Sequence, residues 1–330
     1  MVHPTVSQRG SRGRQSIYKP FTAKAAIELA SPPTWSAALS PVLVGGAAAW
    51  ALTAVVPFQF DARAITCWLL MLVCALCAQS AVNTLNDYQD FKSGLDTKET
   101  ILDKTDASIL YNAIDPKAAL AFGVVLCLLA VGFGVVVALL SQWWLLLLGA
   151  LGAAAVVFYS LGPKPISYLP LGEAVSGLAM GGIITVSTYV ALTKKFTPLI
   201  ILISLPAVLA IALIMLTNNS CDIVRDREAG RRTLAVKLGS EKSKRLAGIL
   251  AVVTMLWMAM ASVMFWLVAL VPVSLASMLG YKKLSLIIRG NYDIQNRQAM
   301  MSNISSWCFL VNSCWAGGLL ASGLIGMWFA

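Results

Sequence analysis

Long apolar runs separated by short polar segments set the rhythm of this chain, and they predict nine helical spans. The spans fall at approximately 37–56, 65–85, 117–140, 143–160, 172–193, 198–219, 245–264, 267–281 and 304–329. Several reach the ~20 residues that an α-helix needs to cross a bilayer. The runs are continuously apolar rather than alternating, which disfavours a closed β-barrel. The expected fold class is therefore an all-α polytopic membrane protein. Arg245 to Leu279 is almost unbroken; a turn near Trp266 divides it, and Pro272 is expected to kink the helix that follows. Ser31-Pro32-Pro33-Thr34 interrupts the chain before the first span. Residues 1–30 read as a basic cytoplasmic tail, in which Ile17 to Leu29 is amphipathic enough to lie along a membrane surface. No apolar segment directly follows residues 1–16, so a cleavable signal peptide is not expected. Residues 31–330 are then read as one transmembrane domain.

Composition supports this reading: 58% of the 330 residues are hydrophobic and only 12% are charged. The net charge of +10 does not indicate a nucleic-acid partner, because the bases are spread among the loops instead of forming one soluble face. With nine spans, all but Arg63, Lys194 and Lys195 of the 25 Lys and Arg residues fall on the side that holds the N-terminus. That imbalance orients the N-terminus toward the cytoplasm and the C-terminus outward. Among the seven cysteines, Cys67, Cys74, Cys77 and Cys127 lie inside apolar runs, as expected of small core thiols rather than a redox or metal pair. His3 is the only histidine, which excludes triads, haem ligation and metal sites built on several histidines.

Two polar stretches stand out against this background. Asn83-Thr84-Leu85-Asn86-Asp87-Tyr88-Gln89-Asp90 ends one apolar run and continues through Lys92 to Asp96. If that helix persists, Asn83, Asp87 and Asp90 fall at i, i+4 and i+7 on one face. The second stretch, Asn218-Asn219-Ser220-Cys221-Asp222-Ile223-Val224-Arg225-Asp226, again follows an apolar run and again aligns Asn218, Asp222 and Asp226. Charge at a span's end is costly and usually has a purpose. An even number of spans separates the two stretches, so both lie on the cytoplasmic side and are expected to build one site. Asp87, Asp90, Asp222 and Asp226, supported by Asn83, Asn86, Asp96, Asn218 and Asn219, offer oxygen ligands only. That set suits Mg²⁺ ahead of Ca²⁺ or Zn²⁺; the plainer reading is solvated loop caps. Arg225, Arg231 and Lys237 crowd the second loop, where they can grip a diphosphate or simply contact anionic lipid.

These residues resemble the UbiA superfamily of intramembrane prenyltransferases. The resemblance rests on Asn86-Asp87-x-x-Asp90 with Asp96, and on Asp222-x-x-x-Asp226 followed by Ala229-Gly230-Arg231-Arg232-Thr233-Leu234-Ala235-Val236-Lys237-Leu238-Gly239. Tyr159-Ser160-Leu161-Gly162-Pro163-Lys164-Pro165, the later Leu171-Gly172-Glu173 and the opening Ser40 to Gly45 are similar to the menaquinone branch, which prenylates 1,4-dihydroxy-2-naphthoate. Two departures are visible. Ser108 to Pro116 stands where the family usually shows an arginine and a Ser-Gly, and Arg231 replaces a common lysine.

The resemblance implies a UbiA-type bundle in a multi-pass membrane protein, in the cytoplasmic membrane if the source is bacterial. It also implies a Mg²⁺-dependent transfer of a polyprenyl group from its diphosphate to the naphthoate, with decarboxylation. Asp87, Asp90, Asp222 and Asp226 would hold the metal, Tyr159 would face the allylic cation or else sit in an interfacial belt, and Lys92, Lys164 and Glu173 would contact substrates. Alternatives are another aromatic acceptor (1,4-dihydroxy-6-naphthoate, homogentisate or 4-hydroxybenzoate) and an ion-coupled transporter. Against a transporter, the acids sit toward one face and beside basic loops. Beyond the lipid bilayer and the substrates, no obligate protein partner is evident.

Overall fold

The computed structural model describes residues 18–53, 56, 58–94 and 107–329. Asp96 and residues 1–17 of the expected tail therefore lie outside the described residues. Those described are helical throughout, apart from connecting turns and an isolated bridge between Lys19 and Ile114.

Each of the nine apolar runs folds as a helix. Among the described residues, seven helices are long and apolar enough to cross a membrane: α3 (Ala62–Ser93), α5 (Pro116–Leu140), the run Gly172–Thr193, α9 (Leu199–Cys221), α12 (Ser240–Phe265), the run Leu267–Arg289, and Arg297–Ile325 within α14 (Arg297–Phe329). The other two runs give α2 (Trp35–Ala51) and α6 (Leu145–Ser160), of 17 and 16 residues. At 1.5 Å per residue these reach only ~25 Å, short of a ~30 Å hydrocarbon core. The protein is thus a multi-pass membrane protein, with seven full-length helices and two shorter ones among the described residues. The outer faces of α5 and α12 leave Leu128, Leu139, Leu256 and Val263 exposed, as a surface in contact with lipid requires.

Helix ends follow the local sequence. Asp61 caps α3 by accepting a hydrogen bond from the Ala64 amide at 2.7 Å, and Gly94 closes the helix with φ 73°. Asp115 caps α5 with Pro116 in its first turn. Short α1 (Ala23–Ala30) and α4 (Ser108–Asn112) meet over α3 and α5 through Ala25, Leu29, Ile109, Ile114 and Ala119. The expected turn near Trp266 is present, with Trp266 at φ −142° ending α12. Pro272 does not kink a helix, because it lies in the first turn of α13 (Leu270–Arg289), where its missing N–H has no partner to lose.

The run Gly172–Thr193 is subdivided into α7 (Gly172–Ser176), a π-helical segment Gly177–Ile183 and α8 (Ile184–Thr193). The π segment packs closely against α9. A Cβ at Gly181 would lie 2.4 Å from the Val208 nitrogen and 2.5 Å from its Cα. Small residues of this kind let membrane helices approach backbone to backbone. At the other end of α8, three side chains from other parts of the chain take up the terminal carbonyls. Arg63 donates to Ala191 at 2.8 Å and also to Leu192, Ser141 donates to Val190 at 3.0 Å, and Gln142 donates to Lys194 at 2.9 Å.

Candidate active site

α3 persists past its apolar run, so Asp87 and Asp90 are both presented from one continuous helix. The second stretch is different. α9 stops at Cys221, Asp222 adopts φ −104° and ψ 12°, and a separate short helix, α10 (Ile223–Glu228), carries Asp226. The expected single face of Asn218, Asp222 and Asp226 is therefore bent at Asp222. A hydrogen bond of 2.8 Å from the Asp226 amide to the Asp222 carbonyl spans the bend.

The two acidic stretches meet through one guanidinium. Arg231 follows α10 in the turn made by Gly230 at φ 74°. It forms an ion pair with Asp90 of α3 and another with Asp226 at 3.5 Å. Its guanidinium stacks 4.7 Å from the ring of Tyr168, and the neighbouring Arg232 amide donates to the Tyr168 carbonyl at 2.9 Å. The loop after α6 is thereby fixed to the loop after α10. Thr233 closes the group, its hydroxyl 3.4 Å from Asp226.

Arg297, the first residue of α14, performs the same task for the third acid. Its Nε donates to Asp222 Oδ2 at 3.0 Å and its Nη2 to Asn218 Oδ1 at 2.6 Å. Asp222 Oδ1 is buried and has no hydrogen-bond partner among the described residues. Asp87 is buried as well, and its Oδ2 accepts from the Ser108 amide at 2.9 Å.

Burial dominates the electrostatics of the second stretch. It pushes the Asp222 carboxyl up to about 7, with Arg225 opposing and Asp226 reinforcing the shift. Burial likewise raises Asp226 to about 6, against the pull of Arg231 and Arg225. Burial also disfavours the Arg231 charge, yet Asp90 and Asp226 outweigh it and raise its pKa above the ordinary arginine value.

A more apolar wall adjoins these charges. Tyr159, at the end of α6, is buried and donates its hydroxyl to Met215 Sδ at 3.0 Å. The next residue, Ser160, donates to Asn86 Oδ1 on α3. Glu173, at the start of α7, accepts from Asn219 Nδ2 at 2.9 Å, while its Oε2 is buried without a hydrogen-bond partner among the described residues.

The geometry thus gathers Asn86, Asp87, Asp90, Tyr159, Glu173, Asn218, Asn219, Asp222, Asp226 and Arg231 at one end of the bundle, with Arg225 half-buried beside the acids. Other expected residues stand apart. Asn83 donates to the Ala30 carbonyl at 3.1 Å and to Thr34 at 2.8 Å, so it fastens the entry to α2. Lys92 is exposed over the Tyr88 ring, at 5.8 Å. Lys164 is exposed on its loop and Lys237 on the short helix α11 (Leu234–Leu238). Arg297, Tyr168 and Thr233 are the residues that sequence reasoning missed. A cavity of about 450 Å³ at the opposite end, lined by Asp61, Arg63 and Thr193 among others, contains none of the expected site residues.

Among the described residues no three acidic, Cys or His side chains converge on a point, because guanidinium groups stand between the carboxylates. The donor set nevertheless fits a hard cation. It is all oxygen, and Asp222 Oδ1 is buried without a hydrogen-bond partner among the described residues.

Comparisons with known proteins agree with this geometry. A model of the UbiA prenyltransferase family matches residues 38–307. A 1,4-dihydroxy-2-naphthoate octaprenyltransferase from Bacillus subtilis (strain 168) is 32% identical over 308 residues, covering 92% of each chain. UbiA prenyltransferase domain-containing protein 1 of Dictyostelium discoideum is 31% identical over 245 residues, 72% of each chain. Among solved structures, a UbiA homologue from Archaeoglobus fulgidus bound to DMAPP and Mg²⁺ superposes with a TM-score of 0.59. That match has 14% identity and covers 88% of this chain and 99% of the other, a likeness of fold.

Proposed function

This chain belongs to the UbiA prenyltransferase family, and from that premise we propose that it transfers a polyprenyl group from polyprenyl diphosphate to 1,4-dihydroxy-2-naphthoate. The acceptor loses carbon dioxide in the reaction, which gives the demethylated quinol of menaquinone biosynthesis. The protein is an aromatic prenyltransferase. The choice of naphthoate rests on the Bacillus relative, matched over nearly the whole of both chains. The observation that carries the site is the junction at Arg231, which joins Asp90 and Asp226 from stretches far apart in sequence.

In this reading Asp87, Asp90, Asp222 and Asp226 hold Mg²⁺, as the metal in the Archaeoglobus homologue suggests. The cation supplies charge neutralisation for the departing diphosphate. Arg231 and Arg225 add donors for the diphosphate oxygens. Tyr159, buried at the edge of the charged group, turns an electron-rich ring toward the allylic carbon as the carbon–oxygen bond breaks. Glu173 and Asn219 form a paired donor and acceptor for a hydroxyl of the acceptor ring. The burial around them excludes water that would otherwise capture the allylic cation. The site opens toward the cytoplasm, following the basic residues.

The test supplies purified protein with octaprenyl diphosphate, Mg²⁺ and a panel of aromatic acceptors, and identifies products by mass. Prenylated, decarboxylated naphthoate is expected. Turnover of 4-hydroxybenzoate or homogentisate with none of the naphthoate would overturn the acceptor assignment.

A further inference from the structure

We propose that Arg297 is an internal counter-ion that competes with a cation for Asp222 and, when displaced, becomes a ligand of the substrate diphosphate. This rests on the functional reading above and assigns a role to a residue of the last helix, which contributes no acid to the site.

The geometry is that of a built contact. Arg297 is only 14% exposed, and two of its hydrogen bonds end on Asp222 and on Asn218, one helical turn earlier. The backbone leading to it is fixed. Tyr292 is buried and donates its hydroxyl to the Ile287 carbonyl at 2.7 Å, and Asp293 accepts from the Asn296 amide at 2.9 Å. Arg297 is therefore delivered to Asp222 from a braced loop. The contact still leaves Asp222 half satisfied, with Oδ2 taken and Oδ1 buried without a hydrogen-bond partner among the described residues. A carboxylate completed by its arginine would leave neither oxygen bare. A ligand that needs Asp222 competes directly with this guanidinium for Oδ2.

Charge balance points the same way. Among the described residues, Asp90, Asp222 and Asp226, when ionised, face Arg225, Arg231 and Arg297, so these six side chains balance in charge. One divalent cation tips that balance and leaves arginine charge in surplus, where a polyanionic diphosphate can take it up. A planar guanidinium matches phosphate oxygens in two-point contact. Arg231 is less free to exchange in this way, since it holds two carboxylates and the Tyr168 ring at once.

The experiment uses the full-length protein and reads binding. Mn²⁺ affinity without substrate is followed by electron paramagnetic resonance of the free ion, and retention of labelled geranyl diphosphate is measured with Mn²⁺ present. In Arg297→Gln, Mn²⁺ should bind several-fold more tightly, because its competitor is gone, whereas the diphosphate should bind at least ~tenfold more weakly. Arg297→Lys, which keeps the charge but loses the planar fork, should fall between wild type and Gln for diphosphate, again with tighter Mn²⁺. It also serves if the Gln variant does not fold. Arg232→Gln, an exposed neighbour, should change neither. A purely structural arginine predicts that both affinities weaken together or that neither moves, and either result overturns the proposal. Wild type that binds neither probe would instead overturn the functional reading, and this proposal with it.

Discussion

Gly181→Ala tests whether the π segment holds α7 and α9 at the distance the site requires. The added Cβ would lie 2.4 Å from the Val208 nitrogen, 2.5 Å from its Cα and 2.6 Å from the Ala207 carbonyl carbon. Ordinary contacts between such atoms are ~3.5–4.0 Å, so the two helices must part by about 1 Å. All three obstructing atoms are backbone, so no rotamer change relieves them. Overpacking of this kind costs about 1–3 kcal/mol. It opposes, and at most positions exceeds, the ~1 kcal/mol that alanine gains over glycine within a helix. The separation would be felt at Glu173, which precedes Gly181 on the same run, and at Asn219, which follows Val208 on α9. Their hydrogen bond of 2.9 Å has little length to lose before it ceases to be one. Gly182→Ala is the internal control, because its Cβ would meet only Val208 Cγ2 at 3.5 Å. Melting in detergent, followed by size-exclusion fluorescence, should fall by several degrees for Gly181→Ala and hold or rise for Gly182→Ala. The KM for the aromatic acceptor should rise only in the former. Wild-type melting and KM in Gly181→Ala would refute the argument.

Three further outcomes are expected. Asp87→Asn and Asp222→Asn should each slow single-turnover diphosphate release by orders of magnitude, a ~4 kcal/mol loss being roughly a thousandfold, and the double variant should be scarcely worse. Asp61→Asn, whose amide can still cap α3, should be nearly silent; unchanged release by Asp222→Asn would leave the two-stretch mechanism without support. Activity should vanish in excess chelator and return with Mg²⁺ but poorly with Zn²⁺, so turnover by metal-stripped protein counts against the oxygen-ligand argument. Cysteines placed at Lys194 and Lys237 should react with an impermeant reagent from opposite sides of intact cells, above the parent's own labelling, and labelling of both from one side would overturn the orientation read from the basic residues.

The helices and one half of the site were legible in the sequence because both depend on local pattern. Continuous apolar runs mark spans whatever packs against them, and Asp87 and Asp90 keep helical spacing because α3 extends to Ser93. Trp266 was legible as a turn because two spans had to be cut from one run. What escaped depends on neighbours distant in the chain. Asn83 shares a face with Asp87, yet the carbonyl of Ala30 and the hydroxyl of Thr34 claim its amide. Periodicity gives the direction of a side chain and not what waits there. The bend at Asp222 has no Gly or Pro to announce it. In the sequence Arg297 reads as one more basic residue before the last span, and only the path of α14 brings it to Asp222. Lys164 on its loop and Lys237 on α11 have the right charge and remain exposed.

The far end of α8, where Arg63, Ser141 and Gln142 take up four successive or nearly successive carbonyls, has a mechanical consequence. Two other parts of the chain, the start of α3 and the turn at Ser141 and Gln142, are pinned there to one helix terminus, so that rim resists spreading. The opposite rim is joined mainly by ion pairs between side chains, Arg231 with Asp90 and Asp226 and Arg297 with Asp222, together with the stacked Tyr168 ring and one backbone hydrogen bond. The molecule is fastened to main-chain carbonyls at one edge and through charged side chains at the other. A reaction that must admit a charged head group and release a product without it can therefore exchange partners at the charged rim, while the pinned edge keeps the helices in register through every cycle.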